Sequence, residues 1–232
     1  MKLPRLYPIL DTESLERRGC AVEAAARGML DGGARILQFR HKGFFSRQVF
    51  AQAERVAELC RAADALLVID DRADIALLLN AGVHLGQDDL PPQDARRILG
   101  AGRIIGFSTH NQEQLRAAAA EPADYLAIGP IFGTQSKQRP DPTVGVASLE
   151  QWRRLSERPL VAIGGITLKN APEVLAAGAD SVAVIADLLP EPSTEQTIRE
   201  RMEEWQNLLK CVKPGWSRGW ACWTRPPSSW DR

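Results

Sequence analysis

The chain has 232 residues, of which 44% are hydrophobic and 25% are charged, and these values exclude a wholly disordered protein. The length allows one large domain or two small ones. The 29 Lys and Arg residues balance the 29 Asp and Glu residues, so the chain as a whole lacks the basic character of a protein that binds duplex nucleic acid.

The sequence predicts neither membrane insertion nor export. No apolar run approaches the roughly 18 residues that span a bilayer, and Pro4, Arg5 and Pro8 interrupt the segment where the apolar core of a signal peptide would lie. Four cysteines, which form neither a CxxC motif nor a zinc-binding spacing, favour a reducing compartment: Cys20, Cys60, Cys211 and Cys222. We therefore expect a cytoplasmic protein.

Short apolar runs alternate with amphipathic stretches along most of the chain, which is the pattern of repeated βα units. Strands are predicted at 5–11, 35–42, 65–71, 82–87, 103–110, 124–132, 159–166 and 180–188. Helical patterns cover 45–63, 112–120, 149–157, 168–177 and 193–211. Several helices are expected to end at a glycine in the left-handed conformation, namely Gly33, Gly82, Gly100 and Gly178.

Eight strands that each lead into a helical pattern indicate an α/β fold, specifically a closed (β/α)8 TIM barrel. An open doubly wound sheet is the alternative. Polar residues favour the barrel because they follow strands 2 to 6 in turn, whereas an open sheet would gather them at one switch point. Residues 1–210 then form one catalytic domain. Exposed barrel helices often mediate contacts between copies, so a homo-oligomer is one possible state.

The C-terminal segment 211–232 contains proline, glycine and serine without a helical or strand period, which predicts a disordered extension. It also holds four of the six tryptophans: Trp216, Trp220, Trp223 and Trp230. Such a segment could stack on nucleic-acid bases. We interpret it instead as lying outside the functional unit, and no nucleic-acid partner is expected.

The end of the second predicted strand carries a cluster of cations. Because side chains alternate along a strand, Gln38, Arg40 and Lys42 share one face, which in a barrel is the lumen near its mouth. Inward cations are costly unless an anion binds there, so this pattern favours recognition of a phosphate or diphosphate. The alternative is an edge strand with a solvated face.

Carboxylates follow the next two strands. Asp71 and Asp89 are oxygen ligands of the kind that Mg²⁺ prefers when it also binds substrate phosphates. A single aspartate after a strand is more often the N-cap of a helix, and Asp70 and Asp88 are expected in that role. Paired acids opposite paired bases, at adjacent strand ends, favour the metal site.

The fifth strand ends with Ser108 and His110, and the fourth contains His84. A Ser/His hydrolase is disfavoured, because alternate residues of one strand seldom bond to each other and no GxSxG motif is present. We expect Ser108 to donate its hydroxyl to phosphate and His84 to be a satisfied core histidine, while His110 could equally cap the following helix.

The segment from Gly133 to Val146 is long for a compact domain, and its hydroxyl groups and Lys137 suit a loop that closes over a substrate. A disordered loop is the alternative. Gly164 and Gly165 follow the seventh strand, where a barrel commonly forms a phosphate site from backbone N–H groups.

Several motifs occur in the order found in the thiamine-phosphate synthase family, which the chain resembles over roughly residues 5–206. They are QFRHK, IDDRADIAL, GVHLGQDDL, GFSTH, ADYLAIGPIFGTQSK, VAIGGI and GADSVAVI. GVHLGQDDL and GPIFGTQSK are the most specific of these.

The resemblance implies a transferase that joins 4-amino-2-methyl-5-hydroxymethylpyrimidine diphosphate to 4-methyl-5-(2-phosphoethyl)thiazole, or its carboxylated form, giving thiamine phosphate and pyrophosphate. It implies that Mg²⁺ is held by Asp71 and Asp89. It places the pyrimidine diphosphate against Gln38, Arg40, Lys42, Ser108 and Lys137, and the thiazole phosphate against Thr134, Ser136, Gly165, Ile185 and Ala186. We expect catalysis to depend on Arg40, Lys42, Ser108 and Lys137.

The chain departs from the family pattern at two positions. Asp70 stands where the family usually has asparagine, which adds a negative charge among the residues that bind the diphosphate. Ala186 stands where serine is common, which removes one hydroxyl from the thiazole-phosphate site. Two alternative functions stay open: a thiazole tautomerase, which would not need the Asp71 and Asp89 pair, and a barrel that binds a phosphate ligand without catalysis.

Overall fold

A computed structural model of the chain describes residues 2–133 and 142–212. Eight parallel strands form a closed barrel in sequence order, with the last strand paired to the first. The strands are β1 (Leu6–Asp11), β2 (Ile36–Arg40), β3 (Leu66–Asp70), β4 (Gly82–Leu85), β5 (Ile105–Thr109), β6 (Tyr125–Ile128), β7 (Leu160–Ile163) and β8 (Ser181–Val184). The predicted TIM barrel is confirmed.

Helices connect the strands and cover the outside of the barrel. They are α1 (Thr12–Arg17), α2 (Val22–Asp31), α3 (Arg47–Ala62), α4 (Ala73–Leu78), α5 (Pro92–Leu99), α6 (Gln112–Ala118), α7 (Val146–Trp152), α8 (Ala171–Ala176) and α9 (Glu195–Cys211). Short 3₁₀ helices follow α7 and β8, at Arg153–Leu155 and Ala186–Leu188. Within the described part of the chain, no helix is both long and apolar enough to cross a membrane.

Two cores lie on either side of the strands, because successive side chains of a strand point to opposite faces. The larger core fills the space between the barrel and its helices. The smaller one fills the lumen, and it includes Tyr7, Ile9, Ile36, Val68 and Tyr125. The lumen is therefore packed below the barrel mouth, which leaves a cavity at the carboxyl ends of the strands.

One predicted helix ending is wrong. Gly33, Gly100 and Gly178 have positive φ, but Gly82 is the first residue of β4, and Asn80 (φ 55°) takes the left-handed position instead. Asparagine tolerates that conformation. Gly82 is small for a different reason, since a Cβ there would lie 2.8 Å from the backbone oxygen of Ile104.

The strands are shorter than predicted, mostly at their carboxyl ends. The prediction for strand 8 runs to residue 188, but the chain leaves the extended conformation at Ile185 (φ −112°, ψ −78°). Strand 2 ends at Arg40, two residues early. The prediction for strand 1, residues 5–11, is too long by only one residue. The residues released from the ladder form the loops of the barrel mouth.

Helix α9 closes the barrel by packing against α2. Gly28 on α2 and Gly32, which caps that helix, make the close approach possible, because a Cβ would lie 2.5 Å from Glu195 O in the first case and 2.9 Å from Arg199 O in the second. Arg5, just before β1, donates to the backbone oxygen of Leu209 at 2.9 Å. Apart from its first two residues, the predicted extension 211–232 lies outside the described residues.

Candidate active site

A cavity of about 570 Å³ opens at the carboxyl ends of the strands. Most of the predicted site residues line it: Gln38, Arg40, Lys42, Asp70, Asp71, Ser108, Gly165, Ile185 and Ala186. Asp89 lies beside it, with Oδ2 accepting from the backbone N–H of Gly86, a lining residue, at 2.6 Å. Thr134, Ser136 and Lys137 lie outside the described residues.

The two predicted cations are already paired with acids. Arg40 contacts Asp11 on β1 and lies 3.4 Å from Asp70 Oδ2. Lys42 Nζ lies 2.9 Å from Asp70 Oδ2 and 2.5 Å from Asp71 Oδ2. Burial alone would lower the pKa of Lys42, but Asp70 and Asp71 outweigh it and raise that pKa. The carboxylates of Asp11, Asp70 and Asp71 therefore hold Arg40 and Lys42 at the cavity and favour the charged form of Lys42.

Asp70 does not cap a helix, as a single aspartate in that position was expected to do. It is the last residue of β3, only 6% exposed, and the N-cap of α4 is Arg72. Burial raises the pKa of Asp70, and the Lys42 and Arg40 cations oppose that rise. Asp88 is likewise no cap, because α5 begins after Pro91. The carboxylate of Asp70 instead helps to orient the two cations.

Asp71 and Asp89 lie side by side, as the predicted metal pair requires. Burial raises the pKa of Asp89, and the neighbouring Asp71 carboxylate raises it further. Asp71 adopts a left-handed conformation (φ 64°), which is uncommon for residues other than glycine but which aspartate tolerates better than most. Two adjacent carboxylates fit Mg²⁺, which is commonly bound by one or two carboxylates together with water and substrate phosphate.

The fit to Mg²⁺ depends on these two carboxylates and on phosphate oxygens that a bound substrate would supply. Among residues 2–133 and 142–212 there is no group of three or more His, Cys, Asp and Glu residues that could enclose a metal ion. The buried Asp70 Oδ2 lies 2.9 Å from Lys42 Nζ and 3.4 Å from Arg40 Nε, so protein cations already engage it. The carboxylates that fit Mg²⁺ are therefore those of Asp71 and Asp89.

Ser108 bonds to a histidine of the neighbouring strand and not to His110. His84 Nε2 lies 2.8 Å from Ser108 Oγ, while His110 Nδ1 lies 2.7 Å from the backbone oxygen of Gly129. His84 is 8% exposed and fully engaged, as expected of a core histidine. His110 is not the cap of α6, because Asn111 holds that position.

The loops after β7 and β8 form the opposite side of the cavity. Gly165 has φ +62°, and a Cβ there would lie 2.6 Å from Gly133 O, so glycine is required both by the backbone and by the space. Asn170 Nδ2 donates to Gly165 O at 3.0 Å. Asp187, after β8, accepts from the backbone N–H of Leu168 at 3.3 Å, which joins the two loops.

Three lining or supporting residues were missed by the sequence analysis. Asp11 at the end of β1 is 1% exposed and pairs with Arg40, while Tyr7 and Tyr125 are buried in the lumen. A usable signal was present, since Tyr7, Ile9 and Asp11 alternate along β1 and must share the inner face.

The chain is similar in sequence to proteins of one family. The sequence model of the family described as "Thiamine monophosphate synthase" matches residues 6–188. A thiamine-phosphate synthase from Koribacter versatilis is 46% identical over 90% of this chain and 97% of its own length. Another, from Chlorobium phaeovibrioides, is 47% identical over 77% of this chain and 88% of its own.

Solved structures extend the comparison to the fold. Thiamine phosphate pyrophosphorylase from Pyrococcus furiosus is 34% identical, with a TM-score of 0.77 over 90% of this chain and 96% of that one. A KDPGal structure, at 16% identity and a TM-score of 0.67, shares the fold alone. Since the family match covers most of the chain and relatives near 46% identity span most of it, this chain belongs to the thiamine monophosphate synthase family.

Proposed function

We propose that the protein is a thiamine-phosphate synthase that joins a hydroxymethylpyrimidine diphosphate to a thiazole phosphate and releases pyrophosphate. The observation that carries the proposal is the cluster of Arg40, Lys42, Asp71 and Asp89 at one cavity mouth. Expelling a diphosphate needs cations and a metal site, whereas binding alone has little use for both. The names of the relatives support this activity.

The chain's own cations act on the leaving group. When the C–O bond to the diphosphate breaks, the electron pair leaves with pyrophosphate, and negative charge grows there. Arg40 and Lys42 stabilise that charge more strongly in the transition state than in the substrate, which lowers the barrier. Lys137 is proposed to add a third positive charge. The Arg40 guanidinium is held in place by Asp11, so it needs little reorganisation during the reaction.

Asp71 and Asp89 are proposed to hold Mg²⁺, which when bound supplies further positive charge beside the leaving group. The contact between Asp71 and Lys42 places the Lys42 ammonium group at the same point of the cavity. No protein nucleophile is required. The pyrimidine amino group delocalises the carbocation, and the thiazole nitrogen attacks it to form the new C–N bond while the barrel excludes water.

The thiazole phosphate is proposed to bind across the cavity, against Gly165, Ile185 and Ala186, with Thr134 and Ser136 contributing from the sixth loop. The positive φ values of Gly164 and Gly165 turn the backbone sharply here, which is suitable for anion binding by N–H groups. Ala186 offers no hydroxyl, so the backbone must supply that contact. The carboxylated thiazole phosphate is proposed as a substrate too, with its carboxyl group lost as carbon dioxide.

A direct assay separates the candidate functions. The purified chain is incubated with Mg²⁺ and both substrates, and thiamine phosphate and pyrophosphate are measured. Equal amounts of the two products are expected. Interconversion of thiazole tautomers without thiamine phosphate would establish the tautomerase instead, and saturable binding of either phosphate without turnover would establish a binding protein.

We also propose that residues 1–210 are the catalytic domain and that the Trp-rich segment lies outside it. Helix α9 ends at Cys211, so a chain truncated after Val212 keeps every described element. The truncated protein is expected to retain kcat within about twofold of the full chain and to keep its Tm. A large loss of activity at unchanged Tm would show that the segment belongs to the functional unit.

A further inference from the structure

A chain of hydrogen bonds crosses the barrel lumen beneath the cavity. Gln38 Nε2 donates to the Tyr7 hydroxyl at 3.2 Å, and that hydroxyl lies 2.8 Å from the hydroxyl of Tyr125. The Tyr125 hydroxyl lies 3.0 Å from His84 Nδ1, and His84 Nε2 lies 2.8 Å from Ser108 Oγ. Five strands thus contribute to this series of hydrogen bonds. It links Gln38 and Ser108, two residues that are expected to bind substrate.

The lumen is shaped to allow this chain. A Cβ on Gly106 would lie 2.5 Å from His84 Nδ1 and still closer to the ring and hydroxyl of Tyr125, so only glycine leaves room for their contact. The Tyr125 ring stacks on His84 at a centroid distance of 5.6 Å and meets the Tyr7 ring edge-on at 5.9 Å. Packing therefore fixes the rings as well as their polar atoms.

The donor at one end sets the direction of every later bond. The Gln38 amide nitrogen can only donate, so the Tyr7 hydroxyl accepts from it. The buried Tyr7 proton still needs an acceptor, and among the described hydrogen bonds of Tyr7 only the Tyr125 oxygen can be one, so Tyr7 is taken to donate to Tyr125. Burial raises the pKa of both phenols well above the usual value, so each keeps a proton to give. Tyr125 then donates to His84 Nδ1, which places the imidazole proton on Nε2, facing Ser108.

We propose that Tyr7, Tyr125 and His84 are positioning residues that keep the Ser108 hydroxyl proton turned into the cavity, as a donor to the bound pyrimidine diphosphate. Ser108 Oγ accepts from His84, so its own proton is free to bond elsewhere. Without that donor the hydroxyl could turn its proton toward His84 and present only lone pairs to an anion. This inference rests on the proposed synthase function for its catalytic consequence alone.

The first test reads the direction in the protein without substrate. The full chain is labelled with ¹⁵N-histidine, and its three histidines are distinguished with H41Q and H110Q. Chemical shifts are expected to show His84 neutral with its proton on Nε2. A proton on Nδ1, or on both nitrogens, would overturn the proposed direction whatever the activity of the enzyme.

The second test reads the consequence for turnover. Tyr125→Phe keeps the ring and removes the proton that His84 accepts, so kcat is expected to fall about tenfold while KM for the thiazole phosphate is unchanged. The matched control is Thr109→Val, next to Ser108 on β5. It removes a buried hydroxyl bond to Ala127 O (2.8 Å) that is not one of the hydrogen bonds between Gln38 and Ser108. It is expected to keep kcat within about twofold.

Tyr7→Phe supplies a second variant, one link further from Ser108, and its kcat is expected to lie between those of the other two. Equal kcat values for Tyr125→Phe and Thr109→Val, both folded by circular dichroism, would refute the positioning role. If the wild-type protein makes no thiamine phosphate, the proposed function fails. The histidine spectra then still decide the direction of the hydrogen bonds from Gln38 to Ser108.

Discussion

Replacing Trp205 with phenylalanine is expected to destabilise the protein and to weaken binding of the thiazole phosphate. Trp205 on α9 is fully buried, and its indole N–H donates to Asp187 Oδ2 at 2.9 Å. The same oxygen accepts from the backbone of Leu168, and Arg201 lies 3.2 Å from the other carboxylate oxygen. One carboxylate therefore ties α9 to the loops after β7 and β8.

The expected cost has two parts. A hydrogen bond to a charged group contributes roughly 1.5–3 kcal/mol, and phenylalanine has no donor to replace the indole. The smaller ring also leaves unfilled space in a fully buried site, which adds a packing cost. We expect the free energy of unfolding to fall by about 3 kcal/mol, which lowers Tm by about 6–12 °C in a chain of this size.

Urea unfolding followed by circular dichroism measures the stability, and steady-state kinetics measures the two KM values. The KM for the thiazole phosphate should rise while that for the pyrimidine diphosphate stays unchanged. Trp152→Phe, at a half-buried tryptophan of α7, is the control and should leave both KM values unchanged. A loss of stability below about 1 kcal/mol for Trp205→Phe, or an equal rise in both KM values, would refute this reasoning.

Four further outcomes are expected. Asp89→Ala should lower kcat by about a hundredfold or more, while Asp88→Ala at the exposed neighbour changes it less than about twofold; equal kcat values would contradict the metal assignment. Gly165→Ala adds a Cβ at φ +62° and should cost about 1–3 kcal/mol of stability and raise KM for the thiazole phosphate, whereas an unchanged KM would remove Gly165 from the phosphate site. Burial raises the pKa of Cys60 to about 12, so alkylation of the native protein at pH 8, read by mass spectrometry, should modify exposed Cys211 and spare Cys60. The unfolded Cys60 thiol ionises near its ordinary pKa of 9.0, while the folded thiol stays neutral. The free energy of unfolding should therefore fall as pH rises above 9.0, and more in the wild type than in Cys60→Ser. An equal pH dependence in the two proteins would contradict this.

The barrel and the side on which the cations lie could be predicted from local patterns. Gln38, Arg40 and Lys42 alternate in sequence, and all three line the cavity. The ends of the strands were harder to predict, because a residue with strand propensity stays hydrogen-bonded in the sheet only while the adjacent strand extends alongside it. Ile185 looks like a strand residue but has turned toward the 3₁₀ helix after β8.

Contacts between strands were beyond the sequence analysis. Asp11 pairs with Arg40, and Ser108 pairs with His84, because of the stagger between neighbouring strands of the closed barrel. The prediction that Ser108 and His110 do not bond to each other was correct. The true partner of Ser108, however, lies 24 residues earlier in the chain, and no local spacing points to it.

The pairing of β1 with β8 also bears on how the chain reaches its native state. Ile9 meets β2 early in synthesis, but Tyr7 finds Ala183 only after almost the whole barrel has been made. Until then both terminal strands present unpaired edges, which can associate with other chains. Contacts so distant in sequence slow folding, and α9, whose packing on α2 follows β8, is the last part of the described chain to be synthesised. Closure of the barrel is therefore a late event, and the nascent protein is most prone to aggregation just before α9, the last helix of the described residues, emerges.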